Sequence, residues 1–167
     1  MQDKLKAEIR KVEDFIALHQ LASKLNPISV LAIKIPQNLG EIAKIIDTYS
    51  DDNLSQEKAH KLFTQVGFLL NNLTLICVQN GLTLFDVLYV EKLGGEENTE
   101  ANILNVMTAC SEISILYHRQ GNFEDIRQQI VAIICSLEEI LAIAEMNFLS
   151  CVKQMYQQTT LNFFINI

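Results

Sequence analysis

The chain has 167 residues, of which 49% are apolar, and this is enough material for one domain with a sizeable buried core. Charged residues make up 20% of the chain, which is too few for a disordered protein. The net charge of -7 removes the general attraction to phosphate backbones that drives non-specific nucleic-acid binding, so no nucleic-acid partner is expected. Six glycines and two prolines disfavour an all-β fold, which needs many turns, and favour an all-α fold.

Membrane spans and secretory signals are not expected. No stretch of eighteen consecutive residues is apolar, and the first ten residues mix both charge signs without an apolar segment. We therefore predict a cytoplasmic protein without a membrane partner. The four cysteines each lie in an apolar helical run and are predicted to be buried, reduced thiols: Cys77, Cys110, Cys135 and Cys151. No histidine or second cysteine stands at zinc-ligand spacing, so no zinc site is expected.

Apolar residues at steps of three and four predict helices in the first part of the chain over 2–24, 28–49, 56–79 and 83–93. The first of these helices ends before Pro27, because the residue that precedes a proline is pushed out of the α region. Pro36 falls inside the second helix and is expected to kink it. Asn80-Gly81 is the C-terminal stop of the third helix.

Gly94-Gly95 begins the best linker candidate and divides the chain into predicted halves 1–94 and 95–167. A helix over 99–119 stops at Gln120-Gly121, and Asn122 caps the next one. A last helix is predicted over 147–158. The tail, 159–167, alternates apolar and polar residues and is left unassigned.

The two halves share a pattern that favours an internal duplication. The stretches that begin at Gln65 and at Gln129 carry apolar residues at the same second, fifth, sixth and ninth places. Leu39-Gly40-Glu41 corresponds in the same way to Cys110-Ser111-Glu112. Since a helix pair cannot bury its apolar stripe alone, the halves are expected to pack about a pseudo-twofold axis as one bundle with a shared core.

The order of helices and short motifs resembles the MazG-like nucleoside triphosphate pyrophosphohydrolases and the related dimeric dUTPases. The resemblance covers 15–93, and its best local pieces are Asn26-Pro-Ile-Ser, Leu39-Gly-Glu-Ile-Ala and Gly81-Leu-Thr-Leu. It is weaker over 103–155, where Ser111-Glu-Ile and a long helix carry it. The resemblance implies an all-α bundle, paired subunits, and Mg²⁺-dependent cleavage between the α and β phosphates of nucleotides.

The chemistry of that family depends on carboxylates from two facing helices, one with Glu-x-x-Glu and the next with Glu-x-x-Asp. A spacing of three places both side chains of a pair on one helical face. Together the four carboxylates surround Mg²⁺, which prefers oxygen ligands and keeps several waters. One such water becomes the nucleophile when the metal and a carboxylate help to remove its proton.

Most of these carboxylates are missing from the equivalent positions of this chain. Those positions, which form a predicted vestigial pocket, are Asn38, Glu41, Gln65, Phe68, Ala109, Glu112, Gln129 and Ala132. One acid remains in each half, Glu41 and Glu112, and a cation without the other carboxylates loses most of its electrostatic stabilisation. We therefore expect no catalytic residue, no metal site and no cofactor. The two remaining acids are either partly buried carboxylates bonded to a lysine, glutamine or asparagine across the bundle, or relics of the metal site, or single contacts to a ligand.

Lys92 is the one candidate for a phosphate contact. The stretch from Phe85 to Leu93, which contains Lys92, resembles the family's helix that ends in Lys-Asn. Leu93 stands here in place of that asparagine. A lysine in the last turn of a helix is also a common solvated residue, because the helix dipole favours a cation there.

Three functions remain open from the sequence. The first is a MazG-like bundle that no longer hydrolyses nucleotides and acts by binding a nucleotide or protein ligand, or by assembly. The second is an active pyrophosphohydrolase with an unconventional Mg²⁺ site, and the third is a helical protein-interaction adaptor. The oligomeric state is also open: the halves suffice for one closed core, whereas the apolar Phe163-Phe164-Ile165 favours a homodimer.

Overall fold

A computed structural model gives the fold and describes residues 2–18, 28–47, 56–81, 84, 98–143 and 148–165. Almost all of these residues are helical, and none of them lies in a strand. The six helices are α1 (Gln2–Leu18), α2 (Ile28–Asp47), α3 (Gln56–Gln79), α4 (Thr99–His118), α5 (Phe123–Ile143) and α6 (Phe148–Ile165). The predicted all-α helical bundle is confirmed.

The helix α3 is the centre of the core. It packs against α2 on one side and α6 on another, and a lighter contact joins it to α1. Its second half is buried around its whole circumference, from Leu69 to Cys77 apart from half-buried Asn71. The buried hydroxyl of Thr74 donates a hydrogen bond to the Leu70 carbonyl oxygen at 2.9 Å, and its oxygen lies 3.3 Å from the sulfur of Met155 on α6.

Contacts between helices cross from one predicted half of the chain to the other. α2 packs against α4, and α6 packs against both α1 and α3. Within the second half, α4 and α5 form an antiparallel-type hairpin joined by the short turn 119–122. The linker at Gly94-Gly95 lies outside the described residues, so the domain boundary, the duplication and the pseudo-twofold axis stay predictions.

The helix ends follow the local signals of the sequence. Gly81, at the predicted stop of α3, has φ +70°. Glycine adopts this left-handed conformation at no steric cost because it has no Cβ atom. The side chain of Asn98 accepts a hydrogen bond from the Glu100 amide at 2.8 Å, and Asn122 accepts one from the Asp125 amide at 2.9 Å. The left-handed residue after α4 is Gln120, at φ 54°, rather than the glycine that follows it.

One of the helices extends beyond the sequence prediction. α6 continues to Ile165, so the tail left unassigned from residue 159 is helical through most of its length. Thr160 adapts to this helix by donating to the carbonyl of Tyr156 at 3.1 Å. α2 contains the half-buried Pro36, as predicted, and the kink expected there stays a prediction. The predicted helix over 83–93 lies outside the described residues except for Leu84.

One of the described helices, α3, is long and apolar enough to cross a membrane by length and composition alone. Of its most apolar window, 61% is buried inside the protein. The central helix of a bundle has the same composition as a membrane span, because both are surrounded by apolar groups. This property is therefore weak evidence for a membrane location.

Candidate functional site

The cleft between α2 and α3 brings together two of the predicted pocket residues. Asn38 projects from α2 and Gln65 from the first half of α3, and both side chains are half-buried. The side-chain amide of Asn38 donates to the Gln65 carbonyl oxygen at 3.1 Å. Both residues belong to the vestigial pocket predicted from the sequence, and a hydrogen bond between two neutral amides joins them.

Asn72 completes this contact and was not predicted from the sequence. Its amide donates to the Asn38 carbonyl oxygen at 3.1 Å, which makes a chain of three amides that we call the amide ladder: Asn72, Asn38 and Gln65. Asn72 is buried, with 8% of its surface exposed. The available signal was its position two turns after Gln65, on the same face of an otherwise apolar helix.

The surviving acid of the first half lies outside the amide ladder. The Glu41 side chain is 53% exposed and accepts a hydrogen bond from Lys44 at 2.7 Å on the same helix. A surface ion pair of this kind contributes little to stability, and the Glu41 carboxylate is solvated. Phe68, another residue of the predicted vestigial pocket, is half-buried three residues after Gln65.

The second half places its four equivalent residues on the contacting helices α4 and α5. Ala109 is buried in the core with 2% exposed, and Ala132 is half-buried and packed against the core. Gln129 is half-buried, whereas Glu112 is exposed. This half therefore offers one neutral amide and one solvated carboxylate, and its two other positions are filled by methyl groups that pack.

The donor set of the α2–α3 cleft does not fit Mg²⁺. A hard divalent cation needs charged oxygens, and the amide ladder carries no net charge. Two of its three side-chain carbonyl oxygens, those of Gln65 and Asn38, already accept hydrogen bonds from neighbouring amides. Throughout the described residues, no group of three or more histidine, cysteine, aspartate or glutamate side chains is arranged to hold a metal ion.

None of the four cysteines forms a disulfide, and Cys77, Cys110 and Cys151 are buried as predicted. Cys135 was predicted to be buried and is half-buried. Burial raises the pKa of Cys110 to about 12 and that of Cys151 to about 12. Burial, and then the nearby Glu13 carboxylate, raise the pKa of Cys77 far above its usual range. Buried neutral thiols are poor nucleophiles and poor metal ligands, so these residues act as small apolar groups.

Lys92, the candidate phosphate contact, lies outside the described residues. Glu13 of α1 accepts a hydrogen bond from the Leu84 amide at 2.8 Å. This contact joins α1 to a described residue three positions after Gly81.

Searches for similar proteins found no protein-family model, no curated protein and no solved structure that matches this chain.

Proposed function

We propose that this chain is a MazG-like helical bundle that does not hydrolyse nucleotides and acts by binding or assembly. The amide ladder is the observation that carries the proposal. Three neutral amides are hydrogen-bonded to one another in the α2–α3 cleft, where the family's chemistry requires charged oxygens around a cation.

Electrostatics supports the loss of catalysis. The exposed Glu41 pairs with Lys44, so its charge is directed to the surface instead of to the cleft. Glu112 is exposed on α4. Neither acid has a second carboxylate three residues before it, since those positions are Asn38 and Ala109. A water molecule in such a cleft would lack both the metal and the base needed to ionise it.

The proposal is tested by assaying pyrophosphate release from a panel of ribonucleoside and deoxyribonucleoside triphosphates with Mg²⁺ or Mn²⁺. We expect no release above the protein-free blank, because no described group of residues can hold the metal. The double variant Glu41→Gln/Glu112→Gln is the matched comparison and is expected to behave like the wild type. Metal-dependent turnover that this variant loses would refute the proposal in favour of an unconventional pyrophosphohydrolase.

Nucleotide binding separates the proposal from the third hypothesis, an interaction adaptor unrelated to nucleotides. A ligand that binds only the folded state raises stability by about 2.7 kcal/mol at a hundred times its Kd. Thermal unfolding with saturating nucleotide and without metal therefore measures binding independently of hydrolysis. Stabilisation by nucleotides supports a nucleotide ligand, and its absence across the panel favours assembly or an adaptor role.

A further inference from the structure

The helix α4 carries apolar residues on the side that faces away from the core as well as on the side that faces it. The inner side is buried and includes Val106, Cys110 and Ile113. On the outer side, Leu104 is 62% exposed, Met107 is 47% exposed and Ile115 is 39% exposed. We call this side, defined by Leu104, Met107 and Ile115, the outer face of α4. Exposed apolar side chains that lie together on one side of a helix favour a partner at that side.

The spacing of these residues forms one continuous stripe. Leu104, Met107, Ser111 and Ile115 follow at steps of three, four and four, so they line one edge of the helix over about three turns. The smaller Thr108 and Ser111 stand at its middle and are exposed, which permits another helix to approach closely there. Such a stripe has the pattern of a helix-pairing seam.

The charges at the two ends of the outer face are opposite. Glu100 lies in the first turn of α4, and Arg119 is its C-terminal cap. Both are exposed, and neither forms an ion pair with another residue in the described part of the chain. A helix with an acid at one end and a base at the other is complementary to an antiparallel copy of itself.

We propose that the outer face of α4 binds a second copy of this chain through antiparallel pairing of the two α4 helices. A twofold axis through the middle of the helix, between Ala109 and Cys110, places Leu104 opposite Ile115 of the second copy. The same axis places Glu100 opposite Arg119 of the second copy. One register therefore pairs Leu104 with Ile115 and Glu100 with Arg119, as an isologous interface requires. In this register Met107 lies opposite the exposed Glu112 of the second copy.

One helix pair lies at the small end of interface sizes, so the dimer is expected to be concentration-dependent. This inference does not rest on the loss of hydrolysis, because its test uses no nucleotide. Sedimentation velocity of the full chain over a concentration series is the measurement, with expected masses between 18.9 kDa and twice that value. Leu104→Asp is expected to raise the dimer dissociation constant about tenfold or more, because it places a charge in the apolar seam.

Charge reversal tests the register. Glu100→Arg and Arg119→Glu should each weaken the dimer, and the double variant Glu100→Arg/Arg119→Glu should restore it. Ala7→Asp is the matched control, since Ala7 is exposed on α1, which packs on α6 and α3. Circular dichroism of each variant checks that the helices remain folded.

Loss of the dimer in Leu104→Asp but not in Ala7→Asp, with rescue by the double reversal, would establish the interface. A chain that stays monomeric at its highest soluble concentration would overturn the proposal. A dimer that survives Leu104→Asp, or single reversals that the double reversal fails to rescue, would overturn it equally, because the contact would then lie on another surface or in another register.

Discussion

At the residue scale, Asn38 is the central member of the amide ladder because it both donates and accepts. Its amide nitrogen donates a hydrogen bond to the Gln65 carbonyl oxygen, and its carbonyl oxygen accepts one from the Asn72 amide. One side chain is therefore the hydrogen-bond partner of two others. Asn72 is buried and Gln65 is half-buried, and polar atoms in such places are costly when they lack partners. The amide ladder therefore has a stabilising role that does not depend on any ligand.

Replacing Asn38 with alanine removes both hydrogen bonds of the amide ladder at once. We expect Asn38→Ala to lower the free energy of unfolding by about 1–3 kcal/mol, measured by chemical denaturation. Gln37→Ala, at the exposed neighbouring position on α2, is the control and should change it by less than about 0.5 kcal/mol. Equal effects of the two substitutions would show that the amide ladder contributes nothing.

The buried thiols predict a loss of stability in alkaline solution. The pKa of Cys110 and that of Cys151 are each about 12 in the fold, above the unfolded value of about 8.5. Above the unfolded pKa the unfolded chain releases these protons while the folded chain keeps them, so stability falls as pH rises from about 8.5 towards 12. Each thiol contributes a slope of about 1.4 kcal/mol per pH unit within that window.

Denaturation at a series of pH values between 8 and 11 measures this slope. The variant Cys110→Ala/Cys151→Ala is expected to show a shallower decline than the wild type, whatever its stability at neutral pH. A decline of the same slope in both proteins would contradict the assignment of these thiols as buried and neutral.

At the element scale, the contact between α3 and α6 depends on the absence of a side chain at Gly67. A Cβ atom there would lie 3.2 Å from Cγ of Gln154 and 3.3 Å from the backbone nitrogen of Met155. Gly40 differs, because it lies in α2 with nothing within 4 Å of an added Cβ. The two glycines thus share a helical setting and differ in what surrounds them.

We expect Gly67→Leu to lower the free energy of unfolding by about 1–3 kcal/mol or more, because it forces α3 and α6 apart. Gly40→Ala is the control and should raise the free energy by about 0.5–1 kcal/mol, since alanine is the better helix former in open space. Thermal and chemical denaturation of both variants measure these changes. A neutral Gly67→Leu variant would mean that the two helices do not pack at this distance.

Helices with strong local signals could be predicted from the sequence, and long-range contacts could not. The bounds of α3 follow from its apolar stripe and from Asn80-Gly81, which needs only local geometry to end the helix. α6 extends past its predicted end through a segment whose own pattern is ambiguous, and local pattern alone did not fix where this helix stops.

The candidate site shows the same limit. Asn38 and Gln65 were singled out from the resemblance, but their hydrogen bond joins residues 27 positions apart, and Asn72 bonds to a residue 34 positions away. Periodicity places a residue on a face of its own helix and carries no information about the neighbouring helix. The sequence therefore could not show whether these amides bond to one another or to a shared ligand. The packing of α2 on α3 shows that they bond to one another.

At the scale of the whole molecule, the bundle combines an uncharged amide ladder within it and a self-complementary apolar face on its surface. The ladder lies between α2 and α3, and the outer face belongs to α4, which packs on α2. These two features are the ones on which we base the proposal that the protein acts by binding or assembly.

Titration of the wild-type protein with Mn²⁺, followed by the electron paramagnetic resonance signal of the free ion, tests the central claim most directly. Mn²⁺ takes the same oxygen ligands as Mg²⁺, and a neutral amide ladder gives it no charged ligand. We expect the free-ion signal to rise with added metal as it does in buffer, with no saturable site. A stoichiometric site that disappears in Glu41→Gln or Asn38→Ala would contradict the account.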